Sequence, residues 1–85
     1  MYKIKIDKSV VKFLGKQPLW LSQKFESALM QLKINPFKTN RDIKKLKGFK
    51  NDYRLRIGKY RFLYAIIENR SLIHFYHASS RGDIY

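Results

Sequence analysis

Arginine side chains alternate with apolar ones on either side of a glycine turn in the second half of the chain. The stretch from Tyr53 to Ile57 has the two-residue period of a β-strand, Gly58-Lys59 fits a two-residue hairpin turn, and an apolar strand follows. In that register Arg56 lies opposite Arg61, and Arg54 shares their sheet face. Guanidinium groups placed together need an anion, and a phosphate group is the anion most often offered to them. The spacing therefore predicts a phosphate site.

The pairing of Arg56 with Arg61 is unfavourable for the sheet itself. Like charges directly opposed are destabilising, by about the 0.2–1 kcal/mol that an opposite-charge pair would contribute. A Thr or a Glu at either position would stabilise the hairpin better, which favours a functional reason for the two arginines. A solvated sheet face with splayed arginines is the alternative, and the spacing alone does not exclude it.

The charge of the chain points to a polyanionic partner. Lys and Arg number 19 against 6 Asp and Glu, for a formal net charge of +13. A small domain with this field attracts nucleic acid first and an acidic protein second. Residues 38–50 form a basic stretch, predicted to be a loop with a short extended piece at 43–46. We expect four lysines there to add nonspecific, salt-sensitive affinity for a nucleic acid: Lys44, Lys45, Lys47 and Lys50.

A chain of 85 residues can bury a single core, so residues 1–85 are expected to form one domain. There are no cysteines, which excludes a disulfide framework, a thiolate zinc site and a cysteine nucleophile. No apolar run approaches the roughly 18 residues that span a bilayer, and the N-terminus lacks a signal-peptide core. We expect a soluble, cytoplasmic protein with no membrane association.

The elements that must position the arginines follow from periodicity. Residues 2–6 alternate as a strand, Asp7 can cap a helix that Gly15 ends, and a second helix begins near Pro18 and stops at Asn35-Pro36. With the hairpin and a last strand over 72–78, the order is βααβββ. The fold class is α+β: a small domain with an antiparallel sheet and a two-helix hairpin packed on one of its faces.

Apolar residues extend beyond the arginines on the same predicted face. Leu63, Ala65 and Ile67 fall there, and nothing later in the chain is long enough to cover them. An exposed apolar patch beside a basic site often marks a protein interface. A two-residue turn at Asn69-Arg70 places His74 and Tyr76 on the arginine face and His77 with the core aromatics. A three-residue loop would reverse that placement, and both stay open.

The run KLKGFKNDYRLRIGKYRFLY at 45–64 and the ending SRGDIY at 80–85 resemble the central block and the C-terminal motif of the RelE/ParE toxin superfamily. The length and element order agree with that family over essentially the whole chain. The resemblance to the RelE branch implies the toxin of a type II toxin–antitoxin system. Such a toxin is a metal-independent endoribonuclease that needs no cofactor and cuts messenger RNA, usually on the ribosome. It attacks through the 2′-hydroxyl and leaves a 2′,3′-cyclic phosphate.

The resemblance also assigns residues and partners. It implies catalytic roles for five residues: Arg54, Arg56, Arg61, Arg81 and Tyr85. It further implies an antitoxin that wraps around the toxin in a hetero-oligomer. We expect this antitoxin to be acidic and to cover Leu63, Ala65 and Ile67.

Two departures from the family pattern concern the proton acceptor. Arg54 and Arg56 stand where some relatives have lysines, and arginine essentially cannot give up its proton. Ser80 stands where the family often has a histidine. The acceptor is therefore open among His74, His77, an ionised Tyr85 and a terminal carboxylate.

Two other functions are compatible with the sequence. A ParE-type member would share the fold and inhibit DNA gyrase by binding. Retention of the full set of arginines with Tyr85 argues against it. A noncatalytic RNA-binding module would account for the charge and the interleaved aromatics, although the chain has no RNP-type aromatic motif.

Overall fold

A computed structural model of the chain describes residues 1–37, 41–48 and 50–80. Five strands and two helices are present in this part of the chain. In order they are β1 (Lys3–Ile6), α1 (Lys8–Gly15), α2 (Leu19–Ile34), β2 (Ile43–Lys45), β3 (Asp52–Ile57), β4 (Tyr60–Ile67) and β5 (Leu72–Ser79), with a 3₁₀ turn (Glu68–Arg70) between the last two strands.

The five strands form one sheet in the order β1-β5-β4-β3-β2. The α+β class is confirmed, with two differences from the predicted sheet. The short extended piece in the basic stretch is a true strand, β2, paired antiparallel with β3. The first strand pairs parallel with β5, so the sheet is mixed. Because β1 and β5 are the first and last strands, no hairpin turn forces them to run antiparallel.

Both helices pack on one face of the sheet, as predicted. The apolar stripe of α2 has Leu21, Phe25, Ala28 and Leu32 buried, and Val10 of α1 is buried beside them. The ring of Phe25 lies 4.6 Å from Phe62 on β4 and 5.0 Å from Phe75 on β5, measured between centroids. Alternate residues of the three central strands thus point into this core. The residues between them are left for the opposite face.

The β3–β4 hairpin has the register that its sequence predicts. Arg56 pairs with Arg61, Leu55 with Phe62 and Ile57 with Tyr60. Gly58 adopts a φ of 60°, the left-handed conformation that the first position of such a turn requires. The core face and the arginine face are therefore both set by this two-residue turn.

The β4–β5 pair contains a bulge that the sequence did not reveal. Ala65 lies opposite His74, but Leu63 lies opposite His77, so the register shifts by one residue between Leu63 and Tyr64. Tyr76 is the extra residue. A bulge of this kind re-aims the side chains beyond it. His77, predicted from one loop length to join the core, lies instead on the arginine face.

Replacing Gly58 by Ala should lower the free energy of unfolding by about 1–2 kcal/mol, because an L-residue is strained at positive φ. The matched control is Gly15→Ala at the last residue of α1, where φ is not positive and a methyl group meets no atom within 4 Å. That change should stabilise the protein by about 0.4–1 kcal/mol. Urea unfolding of both variants measures the difference, and equal effects would contradict the assigned turn.

Candidate functional site

The three arginines of the hairpin lie on one sheet face, opposite the helices, as their spacing predicts. This surface is called the arginine face, defined by Arg54, Arg56 and Arg61. The three differ in exposure: Arg54 is buried, with 8% of its surface exposed, Arg61 is half-buried and Arg56 is exposed. A guanidinium on a central strand is held by its neighbours, so its position is more restricted than that of a surface arginine.

A carboxylate of the same chain binds two of these arginines. Asp42 Oδ1 accepts a hydrogen bond from Arg54 Nη2 at 2.6 Å, and Oδ2 accepts one from Arg56 Nε at 2.7 Å. The backbone fixes the carboxylate, since the amide of Arg56 donates to the Asp42 carbonyl at 2.9 Å. Within the chain, Asp42 therefore supplies an anion to Arg54 and Arg56, and the phosphate site stays a prediction.

The sequence does not identify Asp42 as the partner of these two arginines. The available signal was its isolation, because it is the one acid between Lys38 and Lys50. Its partners are 12 and 14 residues away along the chain. They come within reach only when β2 pairs with β3, and that short strand has no strong sequence pattern of its own.

Arg61 forms no ion pair with any described residue. Its Nη1 donates to the main-chain carbonyl of Lys59 at 3.1 Å. Its Nε is buried and has no hydrogen-bond partner within residues 1–37, 41–48 and 50–80. Because no described carboxylate pairs with Arg61, its positive charge is available for a charge-assisted hydrogen bond to an anion. Arg61 is thus the guanidinium best placed to bind a phosphate oxygen.

Two further aspartates, Asp52 and Asp7, contact a tyrosine and a histidine. The hydroxyl of Tyr76, the bulge residue, donates to Asp52 Oδ2. Burial, together with the hydrogen bond and the negative charge of Asp52, raises the pKa of the Tyr76 hydroxyl above its usual range. Asp7 Oδ1 lies 2.7 Å from His74 Nε2. Asp7 does stand at the N-cap of α1, but its side chain makes no capping hydrogen bond.

The remaining predicted residues divide between the two faces. Lys44 pairs with Arg54 in the register and so shares its face, whereas Lys45 pairs with Tyr53 and points to the helix side. Lys47 and Lys50 are exposed in the connection that follows.

The apolar patch predicted beside the arginines is less open than expected. Leu63 is only 6% exposed, and Ala65 and Ile67 are half-buried. Leu63 lies between Arg54 and His77 in the register, on a central strand flanked on both sides. The prediction of an exposed patch is therefore wrong for Leu63.

Arg81 and Tyr85, which the family resemblance marks as catalytic, lie outside the described residues. Within the described ranges, no cluster of three or more His, Asp or Glu side chains could hold a metal ion. None of the described helices is long and apolar enough to cross a membrane.

The raised pKa of Tyr76 predicts a specific loss of stability at alkaline pH. The unfolded state ionises this phenol at its ordinary value near 10, before the folded state does. The contribution is therefore fully present below about pH 10 and is lost as the pH rises above it. Tyr76→Phe removes this proton difference. Urea unfolding from about pH 9 to 11.5 should show a shallower fall in its stability, by part of the ~1.4 kcal/mol per pH unit of one proton. Identical slopes would contradict the assignment.

Comparison with known proteins gives a consistent result over nearly the whole chain. No family model matches the sequence. A curated relative from Methanocaldococcus jannaschii, designated toxin RelE1, is 36% identical over 85 residues, covering 99% of this chain and 94% of the relative.

Solved structures agree with this relative. The archaeal RelE–RelB complex from Pyrococcus horikoshii contains a chain that superposes with a TM-score of 0.84 at 30% identity, covering 96% of this chain and 97% of that one. The isolated Escherichia coli RelE toxin has a TM-score of 0.79 at 17% identity, over 95% and 85% of the two chains, and so shares the fold. By its identity to the archaeal relative over almost its full length, this chain belongs to the RelE family of toxins.

Proposed function

We propose that the protein is the toxin of a type II toxin–antitoxin system and acts as an endoribonuclease on messenger RNA bound to the ribosome. The observation that carries the proposal is the placement of Arg54, Arg56 and Arg61 on one sheet face, with Arg61 free of an acidic partner among the described residues. Family membership supports the toxin part of the proposal. The arginine face supports the nuclease part.

The proposed reaction is attack of the 2′-hydroxyl on the adjacent phosphorus, leaving a 2′,3′-cyclic phosphate and a free 5′-hydroxyl. It needs stabilisation of the negative charge that develops on the phosphate oxygens, and it proceeds without a metal. Arg61 and Arg81 supply the positive charge that stabilises it, and Arg56 supports them from the opposite strand. Arg54, buried and bound to Asp42, positions the backbone. Tyr85 stacks on a base or holds the 2′-hydroxyl.

His77 is the best-supported proton acceptor of the candidates. His74 pairs with Ala65, four residues from Arg61 on β4, whereas His77 is exposed and pairs with Leu63, only two residues from Arg61. The bulge at Tyr76 brings His77 to the arginine face. An imidazole there compensates for the family histidine that Ser80 replaces.

The proposed partners follow from charge and from the relatives. RelE chains of Pyrococcus horikoshii and Methanococcus jannaschii were solved in complex with RelB antitoxins. We infer an acidic antitoxin for this chain as well, lying over Ala65 and Ile67 beside the buried Leu63 and forming a toxin–antitoxin hetero-oligomer. We place the protein in the cytoplasm. There, four exposed lysines contact messenger and ribosomal RNA: Lys44, Lys45, Lys47 and Lys50.

Substitution of Arg61 or Arg81 should abolish most of the cleavage. Arg61→Ala removes a charge that acts on the transition state, and a loss of about 10²–10³-fold in rate is expected. Primer extension on messenger RNA in a ribosome-programmed translation reaction measures discrete cuts for the wild type, Arg61→Ala, Arg61→Lys and Arg81→Ala. Arg61→Lys keeps the charge but not the fork of donors, so it should recover only part of the rate.

The matched control is Arg70→Ala. Arg70 is exposed in the 3₁₀ turn at the other end of β4, roughly 20 Å from Arg61 for a strand of this length. It should cleave at the wild-type rate. Wild-type cleavage by the folded Arg61→Ala protein would reject the assignment. Absence of cuts by the wild type would reject the nuclease and favour gyrase inhibition, which a supercoiling assay measures.

His77→Ala should slow cleavage by about 10²-fold, the lower end of the range for a general base. The same primer-extension assay measures the rate of each histidine variant. His74→Ala is the control for loss of an imidazole on the same face. If His74→Ala alone slowed cleavage, the roles of the two histidines would be reversed.

A further inference from the structure

A half-exposed indole ring packs against the tip of the β3–β4 hairpin. Trp20, the second residue of α2, is 46% exposed. Its ring centroid lies 5.9 Å from that of Tyr60, which is buried on β4. Its indole also approaches the turn itself, since a side-chain carbon at Gly58 would lie 3.8 Å from it. Trp20 is thus held against the hairpin tip with nearly half of its surface free.

Lys59 connects this ring to the arginine face. Its carbonyl accepts the hydrogen bond from Arg61 Nη1 at 3.1 Å. Its Nζ lies 5.5 Å from the centroid of Tyr60, the ring that Trp20 contacts. The turn residue Lys59 therefore lies between the guanidinium of Arg61 on one face and the indole of Trp20 on the other.

The surroundings of Trp20 are basic. Lys24 follows one helical turn later on the same side of α2, and Lys16 and Lys59 occupy the adjoining turns. The one acid of α2, Glu26, lies on a different side of the helix, where it lines a groove with Val11 and Leu29. Lysine is depleted at the centres of protein interfaces, whereas aromatic rings among lysines are typical of single-stranded RNA contacts.

We propose that Trp20 is a stacking platform for a base of the single-stranded RNA that passes from the arginine face around the hairpin tip. The path of the RNA from the arginine face rests on the proposed function, but the stacking itself requires only that the protein binds RNA. Every base has a face that can stack, so the platform tolerates sequence and adds affinity beyond the phosphate contacts.

The chain offers a direct readout, because Trp20 is its only tryptophan. The probe is a 12-nucleotide 2′-O-methyl RNA, which retains its bases and cannot be cut through the 2′-hydroxyl. The comparison strand has the same length and phosphates but is abasic. The full-chain toxin should show saturable quenching of tryptophan fluorescence with the base-containing strand and little change with the abasic one.

Anisotropy of the labelled RNA then measures affinity in the variants. Trp20→Ala should weaken binding about 10-fold, and Trp20→Phe should restore most of the loss because a phenyl ring also stacks. The matched control is Phe37→Ala. Phe37 is 54% exposed and contacts Tyr2, away from the hairpin tip. It should bind as the wild type does.

Equal quenching by the abasic strand, or wild-type affinity in Trp20→Ala, would overturn the inference. So would a loss confined to antitoxin binding, which would assign the ring to a protein partner. The result is separable from the proposed function. Quenching by RNA without any cleavage of messenger RNA would reject the nuclease and retain the stacking platform. If Trp20→Ala bound RNA and cleaved messenger RNA as the wild type does, the platform would be rejected and the nuclease retained.

Discussion

The register of the β3–β4 hairpin is the constraint on which both faces of the sheet depend. Gly58 at positive φ closes the turn, and Arg56 then pairs with Arg61 while Leu55 pairs with Phe62. A slip of one residue would move every side chain of a strand to the other face. The arginines would then point at the aromatic core, and burial of unpaired charge there is prohibitive. The requirement for a core therefore also assembles the site.

Electrostatic repulsion on the arginine face is relieved selectively. Asp42 binds Arg54 and Arg56, the two arginines on β3, and leaves Arg61 on β4 with a main-chain carbonyl. A carboxylate on Arg61 would compete directly with a phosphate group, whereas a carbonyl only orients the guanidinium. The like-charge pair is thus tolerated because one member is neutralised. The other, Arg61, keeps a charge that no described carboxylate neutralises.

The sequence correctly predicts those parts of the fold that depend on residues close together along the chain. The alternation in β3 and β4 and the Gly58-Lys59 turn specified the register, and the stripe of α2 specified its buried side. The bulge at Tyr76, the parallel pairing of β1 with β5 and the reach of Asp42 to Arg54 depend on chain segments that are distant in sequence. No periodicity encodes them, so the placement of His77 and the partner of two arginines could not be derived.

The hairpin tip combines rigidity with access in a way that a flat sheet face does not. Tyr60 is buried against Phe13, with centroids 6.1 Å apart, and so anchors the tip to α1. The same ring supports Trp20 and lies under the ammonium group of Lys59. A group held by packed neighbours loses little conformational entropy when it binds. The core aromatics therefore preorganise the end of the sheet where Arg61 lies, and the stability of the fold and the geometry of the site have the same physical origin.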